Sequence, residues 1–180
     1  AIYGSEAAPL EHWALPCCEI KDSPAFAYRG MHLDVVRHFF PIEEVKKYID
    51  VLEMFKLNRF HLHLSDDQGW RVEIKALPEL VETGSWRKGS VIGHINDNNG
   101  DDNVPVSGYY TQNEIRQVVA YAAERGITVI PEIDLPGHML AALTAYPNLG
   151  CSGGPYEVWP KWGVSPQVLC AGNEDTYKFL

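Results

Sequence analysis

Hydrophobic and polar positions along this chain switch repeatedly between two periods. Residues 28–36 (YRGMHLDVV) form a short β-rich run. From residue 42 to 56 the apolar positions recur at helical spacing, and Ile42, Val45, Ile49, Leu52 and Phe55 share one face. Pro41 opens this segment, at the helix start where its missing N–H costs nothing. Glu43, Glu44, Lys46 and Lys47 lie mostly off the apolar face. The pattern predicts an amphipathic helix packed on a core. Residues 57–65 (LNRFHLHLS) then alternate at period two. Phe60, Leu62 and Leu64 point one way; His61, His63 and Ser65 point the other.

A second helix announces itself by its cap. Thr111 followed by Glu114 three residues on is a capping-box pattern, with Ile115, Val118, Val119 and Ala122 as the apolar stripe. Gly126 stands where a left-handed residue ends a helix. Residues 127–133 (ITVIPEI) are almost continuously apolar, which predicts a strand buried on both faces. Pro136 and Gly137 turn the chain, and residues 141–145 read as a short helix. Residues 150–172 are loop-like, and residues 173–180 begin another helix. Between strand and capped helix, residues 70–108 look irregular and carry an Asn/Asp-rich tract at 96–103. A stretch that long is usually functional or flexible. Strand–helix alternation predicts an α/β fold with a parallel sheet and helices outside.

Composition narrows the function classes. The chain has 180 residues, 46% hydrophobic and 22% charged, as in a globular domain of ordinary size. No run approaches the roughly 20 apolar residues of a membrane helix. A formal charge of −9 supplies no basic face for nucleic acid. No G-x-G-x-x-G follows a strand, which argues against a dinucleotide site. Residues 1–11 show no basic start followed by an apolar run. Cys17, Cys18, Cys151 and Cys170 make no paired C-x-x-C knuckle. Cys151 and Cys170 are able to pair across a loop, and the sequence leaves that open.

Polar residues gather where strands end: Asp66, Asp67, Glu132, Asp134 and His138. In (β/α)8 barrels that rim carries the active site. His61 and His63 share a strand face and have the spacing to bind one metal. With no third ligand at an obvious spacing, they are read here as interior histidines. Glu132 and Asp134 stand about 6.6 Å apart along a strand. That is near a glycosidase acid pair, but adjacent carboxylates more often hold a neighbour such as His138 than do chemistry themselves. Asp66-Asp67-Gln68-Gly69-Trp70 offers carboxylates, an amide and an indole, the groups a sugar site uses. The tract from Asp97 fails as a calcium loop, because its sixth position is Asp102 and its twelfth Gly108. Arg29 and Arg37 flank the first strand and, taken alone, read as structural ion pairs.

Five ordered blocks together resemble the family-20 glycoside hydrolases, the β-N-acetylhexosaminidases. They are Tyr28-Arg29-Gly30 with Leu33-Asp34 and Arg37-His38-Phe39; His61 through Trp70 (HLHLSDDQGW); Gly108 through Gln112 (GYYTQ); Pro131 through His138 (PEIDLPGH); and Ala145-Tyr146-Pro147. The segment ending Leu169-Cys170-Ala171-Gly172-Asn173-Glu174 also looks like the family.

The resemblance implies a retaining exo-hydrolase that releases terminal β-linked N-acetylglucosamine or N-acetylgalactosamine from a glycan or glycoconjugate. It implies substrate-assisted catalysis, in which the 2-acetamido oxygen of the substrate attacks the anomeric carbon. No metal or other cofactor is implied. Carried over, Arg29 bonds the hydroxyls on carbons 3 and 4 of the terminal sugar, and Asp66 lies at the rim beside it with Asp67 and Trp70. Asp134 and His138 form a relay that tunes the general acid. The family's adjacent Asp-Glu pair has no counterpart, for the sequence contains no Asp-Glu dipeptide. The 180 residues alone are therefore expected to be inactive.

An eight-stranded barrel takes about 250 residues. The fold expected is accordingly a partial (β/α)8 TIM barrel of about the first three strand–helix units, with a long insertion after the second strand. Residues 1–27 would lead into it and residues 28–180 would form the front of the catalytic domain. Open sheet edges would invite association. The family points to a secreted, periplasmic or lysosomal setting. Two rival readings are a metal-dependent barrel hydrolase using His61 and His63, and a non-catalytic sugar-binding piece.

Overall fold

A computed structural model describes residues 16–94 and 99–180. Its elements run β1 (Gly30–Asp34), α1 (Ile42–Met54), β2 (Arg59–His63), β3 (Ser65–Asp66), β4 (Gly69–Trp70), α2 (Glu79–Glu82), α3 (Gln112–Ala123), β5 (Thr128–Glu132), α4 (Leu140–Ala145) and α5 (Glu174–Phe179). Strands β1, β2 and β5 form a parallel sheet in that order. His32 aligns with His61, and both Asp34 and Glu132 align with His63. Strands β3 and β4 make a two-residue antiparallel ribbon just past β2.

The sheet has two chemically different faces. Phe60 and Leu62 are buried beneath Val45, Ile49 and Leu52 of α1 and Val118 and Ala122 of α3. The alternate positions carry His32, His61, His63 and Glu132 on the opposite face. The period-two pattern of β2 therefore translates directly into a helix-covered side and a polar side. A second core gathers Trp70, Leu80, Met139, Leu143 and Leu169 around α4 and α2.

Helix ends follow local chemistry. Pro41 is the residue before the first turn of α1, and its carbonyl accepts from the Val45 N–H at 3.2 Å. The helix stops at Met54, not Lys56. Lys56 takes φ 55°, and the Leu57 N–H returns to the Leu52 carbonyl at 2.9 Å, a Schellman closure with lysine in the left-handed position. Phe55, expected on the apolar stripe, is 68% exposed because it sits in this turn. At α3 the Thr111–Glu114 capping box forms in full, and Gly126 takes φ 69°. Val119, also expected on a stripe, is exposed.

Strand β5 departs from expectation. Among the described residues it pairs only with β2, and Thr128 and Pro131 are exposed. Val129 packs toward the helices, while Ile130 and Glu132 face the polar side and are half-buried. Of the apolar run, only Ile127 and Val129 pack in the helix-covered core.

The irregular stretch after β4 is held by two buried arginines. Arg71, fully buried, donates to the carbonyls of Ser85, Gly108 and Val36 at 2.6–2.9 Å. Burial and the nearby Arg87 charge lower its pKa to about 10. Arg87 donates to the carbonyls of Val36, Arg37, Gln68 and Gly89. Cys151 and Cys170 form a disulfide across the late loop, with α-carbons 4.8 Å apart. Part of the Asn/Asp-rich tract, residues 96–98, lies outside the described residues.

Candidate active site

The polar groups converge at the C-terminal ends of the parallel strands. At the end of β1, the Asp34 carboxylate accepts the N–H groups of Val36 and Arg37 at 2.8 and 3.0 Å. This turn aims the Arg37 side chain back across the sheet. One guanidinium nitrogen bonds Asp34 at 2.8 Å, and the other bonds Asp66 at 2.7 Å. Asp66, on β3, is 2% exposed and is the hub of the cluster. Its second partner is His63 Nε2 at 2.9 Å, and its third is His138 Nδ1 at 3.0 Å. His138 reaches it from the loop after β5 with φ 55°, a left-handed backbone uncommon outside glycine.

Electrostatics explain how a buried carboxylate stays ionised here. Burial alone pushes the Asp66 pKa up. The hydrogen bond from His63, the Asp67 N–H and the charges of Arg37 and His138 outweigh it and hold the group below the usual carboxylate value. Burial likewise opposes protonation of His63, but Asp66 and Glu132 hold its pKa above the ordinary imidazole value. Its Nδ1 lies 2.9 Å from Glu132 Oε1. Glu132, on β5, is depressed in turn: its histidine neighbours outweigh its desolvation. Asp66, Asp134 and His138 offer ligand atoms within 4.8 Å of one another. Asp66 already serves Arg37 and two histidines, so a cation there would meet the guanidinium.

A cavity of about 420 Å³ opens beside this cluster. Its lining includes Arg37, Gln68, Asp102, Lys161 and Trp162. Trp162 is 50% exposed, with the Arg37 guanidinium carbon 5.7 Å from its ring centroid. Gln68 Oε1 and Arg37 Nε are buried without a hydrogen-bond partner. The site thus combines an exposed indole, a fixed cation and an unsatisfied acceptor beside a solvent-open volume. Such a set suits a hydroxyl-rich, uncharged ligand.

The sequence profile of glycosyl hydrolase family 20, catalytic domain, matches residues 26–180. The chain belongs to this family.

Relatives agree. A β-hexosaminidase of Porphyromonas gingivalis (strain ATCC BAA-308 / W83) is 50% identical over 168 residues, which is 92% of this chain and 20% of the relative. A β-hexosaminidase of Vibrio furnissii is 52% identical over 139 residues, covering 74% of this chain and 22% of its own length. The crystal structure of a β-N-acetylhexosaminidase matches with a TM-score of 0.81 at 40% identity, over 88% of this chain and 32% of that one. The chain therefore spans about a fifth to a third of these relatives.

Within this family-20 chain the residues expected at the site divide sharply. Asp66 and His138 belong to the cluster. Arg29 does not. It precedes β1 at the far end of the strand, roughly 16 Å from Asp34 at strand rise. Its guanidinium caps the carbonyls of Phe26 and Lys56 at 2.7 and 2.9 Å. Arg37, at the other end of β1, is the arginine that bonds Asp66 and lines the cavity. Trp70 is 3% exposed, packs in the second core and donates to the Val72 carbonyl, so it has no face left for a sugar. Asp67 is fully buried and accepts the N–H groups of Leu140 and Ser165 at 3.1 and 3.4 Å. It fixes two loops and does not reach the cavity. The histidine relay runs from His138 to Asp66, while Asp134 stands nearby with its own N–H on Ser65 Oγ at 3.2 Å.

Arg37 and Trp162 line the cavity without having been singled out from the sequence as site residues. One signal for Arg37 is present in the sequence: Asp34 stands three residues upstream, in the same resembling block. For Trp162, nothing separates it from the other tryptophans before the fold is known.

Proposed function

We propose that the chain is the front part of the catalytic domain of a retaining exo-β-N-acetylhexosaminidase, in a partial (β/α)8 barrel with a long insertion after its second strand. The observation that carries this reading is the Arg37–Asp66–His138 cluster at the strand ends of a family-20 chain, beside the Trp162 cavity.

In this reading the Arg37 guanidinium, held on both sides by carboxylates, bonds hydroxyls of the terminal sugar. The Trp162 indole covers an apolar sugar face. The acetamido oxygen of the substrate attacks the anomeric carbon, giving an oxazolinium ion, while a carboxylic acid protonates the leaving oxygen. With Nδ1 of His138 committed to Asp66, its Nε2 is the ring atom available to such an acid. The pair then adjusts the acid's protonation through charge, as a positioning unit. The Asp-Glu pair expected for the acid and the acetamido contact does not occur in the 180 residues, so turnover requires it from elsewhere. His61 Nε2 and His63 Nδ1 both face the Glu132 carboxylate, while His63 Nε2 is turned to Asp66, so both His63 ring nitrogens face carboxylates.

The test is a graft. Residues 26–180 replace the matching segment of the Porphyromonas gingivalis relative, and hydrolysis of an aryl N-acetyl-β-glucosaminide is followed. A folded, active graft supports the reading. A folded graft without activity on either N-acetylhexosaminide epimer overturns it.

A further inference from the structure

We propose that His32, His61 and Glu132 form a site for a divalent transition metal of zinc type, set on the polar face of the sheet one layer below the Arg37–Asp66–His138 cluster. The three residues come from three adjacent strands. His32 and His61 are direct register partners on β1 and β2, and Glu132 ends β5 opposite His63. Strand backbones fix all three side chains on one face, so little reorganisation is needed to bring them together.

A metal would draw His32 toward the carboxylate and open the short His61–Glu132 contact. His61 Nε2 lies 2.5 Å from Glu132 Oε2, and His32 Nε2 lies 3.6 Å from the same oxygen. One ligand atom from each residue lies within 4.8 Å of the others. A tetrahedral zinc with bonds of about 2.0–2.2 Å places its ligand atoms about 3.3 Å apart. The His32 and His61 rings stand edge to face at 4.8 Å, so both Nε2 atoms approach the carboxylate without stacking. Two imidazoles and one carboxylate are a known zinc donor set, and the half-exposed setting leaves a fourth position for water.

The surroundings supply the outer shell such a site uses. The other Glu132 oxygen is 2.9 Å from His63 Nδ1, and His63 is tied through Nε2 to Asp66. These contacts place the His63 ring directly behind the Glu132 carboxylate. The hydrolytic reading gives none of the three ligands a role, although Glu132 touches that cluster through His63.

The experiment titrates zinc chloride into the metal-free 180-residue protein by calorimetry, in a Cys17→Ser/Cys18→Ser background that removes the two exposed thiols. Cobalt(II) absorption reports the coordination number in parallel. The expected result is one zinc per chain and an intense four-coordinate cobalt spectrum. His32→Ala and Glu132→Gln should each weaken binding by at least about tenfold. The His32 side chain is 48% exposed, so its replacement is expected to leave the circular dichroism unchanged. His38→Ala, a histidine outside the triad, should bind zinc as the parent does. No binding to the folded protein, or binding that both His32→Ala and Glu132→Gln leave intact, overturns the proposal.

Discussion

His138 Nδ1 lies 3.0 Å from Asp66 Oδ1, and the histidine reaches it with a backbone φ of 55°. A left-handed non-glycine residue costs energy that its surroundings must hold in place. Here the bond lands on a carboxylate that also anchors Arg37 and His63. Asp66 therefore joins the ends of β1 and β2 to the loop after β5.

Removing that charge should be costly. Asp66→Asn leaves the Arg37 guanidinium and His63 without their shared carboxylate in a buried setting. A loss of about 3–5 kcal/mol is expected in urea denaturation. Asp134→Asn, at a half-buried position with no such partners, should cost clearly less.

Acid stability should depend on the same residue. The folded-state pKa of Asp66 lies below its ordinary value of 3.8. Its stabilisation is present above that value and disappears as pH falls through the depressed folded pKa. Thermal melts between pH 5 and pH 2 should fall more steeply for the parent than for Asp66→Asn. Parallel pH profiles would contradict the assignment.

The two tryptophans should separate fold from function. Trp70→Ala opens a hole in the second core and should cost about 3–5 kcal/mol. Trp162→Ala removes an exposed ring and one cation–π contact, costing under about 1 kcal/mol. In the active graft, Trp162→Ala should raise KM while leaving stability nearly intact. The comparison needs only melts and steady-state kinetics.

The 180 residues by themselves should not hydrolyse an aryl N-acetyl-β-glucosaminide above background. Loss of a general acid alone forfeits about 10²- to 10⁴-fold. Robust turnover by the isolated chain would place the acid within these residues and require a different assignment.

Much of the fold was legible because local rules and tertiary packing agree. The 3.6-residue stripe of α1, the Thr111–Glu114 cap and the alternation of β2 each appear as read. Failures came where context decides. Residues 127–133 looked apolar enough for burial on both faces, but hydropathy does not reveal how many neighbours a strand finds. Residue type picked out Asp66 and His138, which the fold brings into contact. It did not distinguish Arg29 from Arg37, which sit at opposite ends of one strand and differ only in which loop they face. Nor did it distinguish Trp70 from Trp162, since an indole serves a core as well as a sugar. His32 drew no attention, because its closeness to His61 and Glu132 arises from strand register, not from sequence spacing.

The central claim is that Arg37, held by Asp34 and Asp66, is the sugar-binding cation of the site. Steady-state kinetics of the active graft carrying Arg37→Ala or Arg29→Ala test it most directly. Arg37→Ala should lower kcat/KM by at least about 100-fold in folded protein, whereas Arg29→Ala should lose stability but keep its specific activity. Full activity in Arg37→Ala, or selective loss in folded Arg29→Ala, would contradict the account.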